Sequence, residues 1–327
     1  MAAKFYRPQM LAEGAPLVVV LHGCTQNPEG YDRGAGWSKA ADEHGFALLF
    51  PEQQRSNNPN LCFNWFSPAD TERGSGEAQS IRAMVDAMQA QFGTDPKRVF
   101  VTGLSAGGAM AAVMLATYPE VFAGGGIIAG LPFGSAQSIP EAFDRMRGHG
   151  RPGTARLSEL VRSASNHQGP WPILSIWHGS GDHIVDPANA GDLVDQWRDF
   201  HGAAKDPSRT DEVEGYPHRV WCDPEGREVI EEYSITGMAH GTPLDPSDPV
   251  RGEIAGAHML DAGISSTQHL LRFWGLSPTV AKSGHDTLTV PRRAPARSES
   301  QPRANPIAGG FVERTIVEAL RSAGLLR

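Results

Sequence analysis

The chain has 327 residues, 40% hydrophobic and 20% charged, a balance that excludes wholesale disorder, collagen-like repetition and a disulfide-dense mini-scaffold. Its 37 acidic residues exceed its 29 basic ones for a formal charge of −8, which argues against nucleic acid or an anionic membrane surface as the main partner. No stretch approaches the roughly 18 consecutive apolar residues of a membrane helix, and there are no internal repeats.

Short apolar runs alternate with amphipathic stretches from Ala15 to about Gly275, the pattern of one α/β domain with a mostly parallel sheet covered by helices on both faces. Leu17–Leu21, Ala47–Phe50, Val99–Thr102, Gly126–Ile128 and Ile173–His178 are apolar on nearly every residue, as strands buried on both faces should be. A further strand is expected near the start, over Lys4–Arg7. Between the strands, Ile81, Met84, Val85, Met88 and Phe92 recur at helical spacing, with Gly93 as the stop, which predicts a helix over Glu77–Phe92. Ala106–Leu115 is rich in small residues and suits a buried central helix. Leu131–Pro172, apart from a short helical stretch near Pro140–Met146, and Thr242–His258 read as irregular segments able to overhang a site. The catalytic domain is expected over residues 1–276, followed by a Pro/Arg/Ser-rich linker without stable structure over 277–310. Residues 311–327 are expected to form an amphipathic helix, with Val312, Ile316, Val317 and Leu320 on one face, that docks on its own domain or binds a partner.

The chemistry begins at Gly103-Leu-Ser105-Ala-Gly107, where a strand pattern runs into Gly-x-Ser-x-Gly and then into a helix. A nucleophile elbow needs this order, because the turn is tight enough to demand small residues two before and two after an exposed serine at a helix N-terminus. A serine hydroxyl requires a base, and the base an acid to orient it. Asp182 follows the strand Ile173–His178 on a Gly-Ser-Gly turn and is the candidate acid. Asp186 competes with it, but is placed to cap a helix starting near Ala188. Among twelve histidines, His240 follows the alternating run Glu228–Ile235 on a small-residue loop and completes the chain order Ser, Asp, His. The backbone N–H groups of Cys24, after the first buried strand, and of Ala106 are the candidate oxyanion donors. His178, Asp182 and His183 lie close together but lack the partners of a metal site, the three cysteines show no zinc spacing, and no phosphate loop precedes a helix. No cofactor or metal is implied.

Leu21-His-Gly-Cys-Thr-Gln26, Pro51-Glu-Gln53, Cys62-Phe-Asn-Trp-Phe66, Gly103-Leu-Ser-Ala-Gly-Gly-Ala-Met110 and Gly237-Met-Ala-His-Gly-Thr-Pro243 together resemble the poly(3-hydroxybutyrate) depolymerase family of esterases. That family lies within the α/β-hydrolase superfamily, near feruloyl and acetylxylan esterases, and the likeness spans about Lys4 to Leu276. It implies the α/β-hydrolase fold, a triad of Ser105, Asp182 and His240, an oxyanion hole at Cys24 and Ala106, a substrate contact from Trp65 and a Cys24–Cys62 disulfide. A large ring such as Trp65 can equally serve core packing. The implied function is hydrolysis of 3-hydroxyalkanoate esters, polymer or oligomer. The alternatives are a feruloyl or acetylxylan esterase with the same triad, transfer of the acyl group to an alcohol, and an inactive hydrolase fold that binds polymer. The sequence as written opens without a secretory leader, which points to the cytoplasm, whereas a disulfide implies an oxidising compartment and a secreted or periplasmic protein with a longer N-terminus.

Overall fold

The computed structural model describes residues 1–277, which fall in the first of the two units, Met1–Thr279 and Val280–Arg327, into which the chain divides. From residue 278 on, the expected linker and the expected C-terminal helix lie outside the described residues. Eleven strands are described: β1 (Ala2–Tyr6), β2 (Leu17–Leu21), β3 (Ala47–Glu52), β4 (Val99–Leu104), β5 (Gly124–Ile128), β6 (Ile173–Gly179), β7 (Arg209–Val213), β8 (Tyr216–Cys222), β9 (Glu228–Ile235), β10 (Thr242–Leu244) and β11 (Met259–Asp261). The helices are α1 (Pro28–Ala35), α2 (Trp37–His44), α3 (Pro68–Thr71), α4 (Gly76–Phe92), α5 (Ala106–Thr117), α6 (Ile139–Met146), α7 (Thr154–Ala164), α8 (Ala188–Trp197) and α9 (Ser266–Phe273).

Nine strands form one sheet in the order β1-β3-β2-β4-β5-β6-β9-β8-β7. The six from β3 to β9 run parallel, while β1 at one edge and the β7–β8 hairpin at the other are antiparallel. The alternation of side chains through the sheet explains the unbroken apolar runs. Leu17, Val19 and Leu21 enter one core with α4, α5 and α8, whereas Val18 and Val20 enter a second core with α1, α2 and α9. Each face is therefore covered by helices, and every residue of β2 and α5 is buried.

Three segments differ from their expected form. Strand β5 starts at Gly124, because its three glycines are poor strand formers on paper yet let the helices close in. A Cβ on Gly125 would strike Leu115 of α5, and one on Gly126 would strike Leu270 of α9. Helix α7 lies inside the stretch read as irregular, where Leu157, Leu160 and Val161 are buried amid flanks of Gly, Pro and Ser that obscure the periodicity. Strands β10 and β11 pair in parallel and are too short at three residues each to show alternation. The β7–β8 hairpin turns on Glu214 and Gly215, both at positive φ, the backbone of a two-residue type I′ connection.

Candidate active site

All six parallel strands point their carboxyl ends to one side of the sheet, so the turns after β2, β4, β6 and β9 share one rim. Ser105 follows β4, Asp182 follows β6 and His240 follows β9. The three are 58 or more residues apart in sequence and are carried to one rim because β4, β5, β6 and β9 are consecutive neighbours in the sheet.

The serine turn is as tight as its small flanking residues suggest. Ser105 sits at φ 57° and ψ −119°, a left-handed-side conformation that costs a non-glycine residue roughly 1–3 kcal/mol. Its N–H donates to Ile128 O at 2.9 Å and its carbonyl accepts from Ala109 N at 2.8 Å, so the neighbouring strand and α5 together hold the strained backbone. A Cβ on Gly103 would come within 2.5 Å of the Gly107 carbonyl, and one on Gly107 would overlap the Leu21 carbonyl oxygen. Both glycines are thus required by the crossing of the elbow over the end of β2. Ser105 is part-exposed, at the head of a helix whose dipole favours negative charge there.

Asp182 and His240 are in direct contact, with His240 Nδ1 at 2.7 Å from Asp182 Oδ2. The two turns that carry them are bound together along the backbone: Gly181 N donates to Met238 O at 3.0 Å, Ser180 N to Ile235 O at 3.0 Å, and Gly237 N to Ser180 Oγ at 2.8 Å. The other carboxylate oxygen, Oδ1, accepts from the N–H groups of Ile184 and Val185 at 2.8 and 2.9 Å. Burial works to raise the Asp182 pKa, but the nearby N–H groups of His178 and His240, the charge of His240 and the Val185 N–H outweigh it, and the carboxyl is held well below its ordinary value. Asp186, the competing acid, instead accepts from Ala188 N at 2.8 Å at the start of α8. Ser105 Oγ and His240 Nε2 have no hydrogen-bond partner among the described residues, and no bond joins them; such contacts commonly tighten only when substrate is bound.

The Cys24 loop reaches the elbow because Gly107 packs against the carbonyls of Leu21 and His22. No hydrogen bond among the described residues engages the N–H of Cys24 or of Ala106, so both are free to donate. Several side chains that hold this loop escaped the sequence reading. Gln26 Oε1 accepts from Gly23 N at 2.8 Å. His22, buried and with its pKa lowered by that burial, donates from Nδ1 to Gly23 O at 2.8 Å and accepts the Gln53 N–H at Nε2, 3.2 Å away. A disulfide joins Cys24 to Cys62, and the Cys62 segment is in turn anchored on Glu77. The Glu77 carboxylate accepts from Gln53 Nε2 at 2.5 Å, Asn57 Nδ2 at 2.7 Å and Asn64 N at 2.8 Å. An acid in the first turn of a helix is ordinary, so nothing in the sequence signals that Glu77 is buried. Trp65 is 5% exposed and packs in the core beneath this segment, edge-on to Phe66 with ring centres 5.7 Å apart.

Among the described residues no group of three or more His, Cys, Asp or Glu side chains is placed to hold a metal ion, and no helix is long and apolar enough to cross a membrane. The family described as Esterase PHB depolymerase matches residues 2–212. The chain belongs to this family. Among members and relatives, it is 46% identical over 271 residues to poly(3-hydroxyalkanoate) depolymerase C of Paucimonas lemoignei, a match covering 82% of this chain and 65% of that protein. The chain thus spans about two thirds of the length of that depolymerase. It is 28% identical over 251 residues to feruloyl esterase B of Talaromyces funiculosus, covering 74% of this chain and 69% of that one. The solved acetyl xylan esterase from Aspergillus awamori superposes with a TM-score of 0.70 at 24% identity, over 84% of this chain and 94% of that chain. That likeness shows that this member of the PHB depolymerase family shares the α/β fold of that chain.

Proposed function

We propose that this chain is a serine esterase that hydrolyses 3-hydroxyalkanoate esters, polymer or oligomer, through an acyl-enzyme. The observation that carries the reading is the 2.7 Å contact of His240 with Asp182 on the same rim as the strained Ser105 turn. Ser105 Oγ attacks the ester carbonyl and passes its proton to His240 Nε2, forming a tetrahedral intermediate whose oxyanion accepts from the N–H groups of Cys24 and Ala106. His240 then gives that proton to the departing alcohol oxygen, leaving the acyl group on Ser105. A water attacks the acyl carbon, again through His240, and releases the 3-hydroxy acid. Asp182 holds His240 with its proton on Nδ1 and balances the imidazolium that forms in each step. Trp65 is assigned to the wall behind the substrate.

The substrate class is supported by sequence. Identity to a poly(3-hydroxyalkanoate) depolymerase is 46%, against 28% to a feruloyl esterase, although fold and triad are common to many ester hydrolases and specificity resides in the pocket. The test compares wild type with Ser105→Ala on poly(3-hydroxybutyrate) and its soluble oligomers, methyl ferulate and acetylated xylan. Hydroxybutyrate release that disappears in Ser105→Ala is expected. Turnover confined to ferulate or acetyl esters would keep the mechanism and discard the substrate, ester formation with added alcohol would assign acyl transfer, and equal behaviour of both proteins on every substrate would discard the triad.

A further inference from the structure

His178 is the sixth residue of β6, 3% exposed, at the inner end of the turn that carries Asp182. Its Nε2 lies 2.9 Å from Val185 O and, because a carbonyl only accepts, Nε2 is the donor. The other ring nitrogen, Nδ1, is buried and has no hydrogen-bond partner among the described residues. A buried polar atom left in this way is unfavourable, and a hydrocarbon side chain of similar size would fill the space without that cost. Packing therefore does not account for an imidazole at this position, whereas its Nε2 side does.

Val185 is engaged at both ends of its backbone. Its carbonyl takes the His178 proton, and its N–H donates to Asp182 Oδ1 at 2.9 Å. His178 Nε2 also lies 3.3 Å from Asp182 Oδ2, the oxygen that meets His240; its N–H is aimed at Val185 O and presents a positive flank to the carboxylate. We infer that His178 is a positioning residue for Asp182, locking the 182–185 turn through Val185 and fixing the rotation of the carboxylate so that Oδ2 is held toward His240. The inference rests on the triad reading above. The neighbouring His183 is exposed and has no part in it. The ionisable groups facing this assembly are few: Asp182 faces His178 and His240, and His240 faces Asp182 and, with ring centres 5.8 Å apart, His258.

The test uses His178→Leu, which fills the space without a donor, and His178→Gln, whose terminal N–H reaches the place of Nε2. For His178→Leu, kcat falls roughly 10- to 100-fold, as expected for a misdirected catalytic group, while KM stays within about twofold. The acid limb of kcat/KM moves to higher pH, because a carboxylate without its positive flank favours the His240 imidazolium more. His178→Gln restores most of kcat and the wild-type limb. Unchanged kcat in His178→Leu, or equal losses in both variants with an unshifted limb once active sites are counted by phosphonate titration, would overturn the inference. A second measurement needs no active variant. In wild-type enzyme labelled with 15N-histidine, the signal that vanishes in His178→Gln should be that of a ring protonated on Nε2, and protonation on Nδ1 instead would refute the arrangement. Ser105→Ala and His240→Ala run alongside: retained hydrolysis in these removes the triad itself, whereas their inactivity beside a fully active His178→Leu removes only the role of His178.

Discussion

Gly181 and Met238 are joined by a backbone hydrogen bond of 3.0 Å, and this link between the β6 and β9 turns is what sets Asp182 against His240. The two residues are thus registered by main chain, and substitution of either side chain should leave the turns in place. Asp182→Asn should therefore fold normally and lose about 10³- to 10⁴-fold in kcat, because an amide neither balances the imidazolium nor selects its tautomer. Steady-state kinetics with a soluble ester, beside a melting curve, checks both halves; a loss of activity that merely tracks loss of folded protein would contradict the expectation.

Gly107→Ala places a methyl group against the Leu21 and His22 carbonyls, which are backbone and have little room to retreat. Overpacking of this kind costs about 1–3 kcal/mol and here also moves the elbow away from Cys24. Urea unfolding should show the destabilisation, and the folded variant should lose more in kcat than in KM. A variant as active and as stable as wild type would show that the contact relaxes freely.

The Cys24–Cys62 disulfide closes a loop with a sequence separation of 38, for which the chain-entropy relation gives about 4 kcal/mol of stabilisation. Reduction, or the Cys24→Ser/Cys62→Ser double variant, should lower the urea midpoint accordingly. It should also lower kcat, because Cys24 carries one of the two free N–H groups. An unchanged kcat in the still-folded reduced enzyme would remove Cys24 from the oxyanion site.

Two buried carboxyls give the stability a pH signature. Burial raises Glu77 to about 7 against the opposition of its hydrogen bonds, and burial likewise raises Glu253, which accepts from Ser265 Oγ and Asp245 N, to about 7. Between the ordinary value of 4.5 and about 7, each binds a proton in the folded state that it lacks unfolded, so their contribution to stability declines as pH rises through that window. Asp182 has the opposite sign: its contribution is present above the ordinary carboxylate pKa and is lost as pH falls below it. Urea midpoints from pH 4.5 to 7.5 should show wild type losing stability relative to Glu77→Gln as pH rises. Parallel curves would refute the assignment to Glu77.

Trp65 joins a core position to a proposed substrate contact. Trp65→Ala should cost roughly 3–5 kcal/mol for the buried ring. Trp65→Phe, which retains an aromatic side chain, should recover most of the stability while raising KM for the ester if the indole lines the site. Stability and KM both matching wild type in Trp65→Phe would leave Trp65 a packing residue alone.

Much of the site is legible before any coordinates. Ser105 and Asp182 follow apolar strand patterns and His240 an alternating one, each on a turn of small residues, and parallel strands place such turns on one rim. What was not legible is how the turns are held. Glu77 looks like a common helix-opening acid, Gln53 and Asn64 like loop polars, and His178 like the last residue of a strand. Each acquires its role only from partners 7 to 24 residues away that fold against it. Helix α7 and strands β10 and β11 were missed for a related reason, since short elements are stabilised by the neighbours they pack on rather than by their own pattern.

The sequence by itself determined the alternation of strands and helices, the two-sided burial of the sheet and the placing of Ser105, Asp182 and His240 on turns after strands, because these follow from local periodicity and from the sterics of a glycine-flanked turn. Only the tertiary structure decided that Asp182 rather than Asp186 meets His240, that β5 extends through three glycines, and that a buried network of His22, Gln53 and Glu77 supports the Cys24 loop. The physical reason is that burial and hydrogen-bond partnership are properties of pairs brought together across the sheet, and no single stretch of chain specifies them alone.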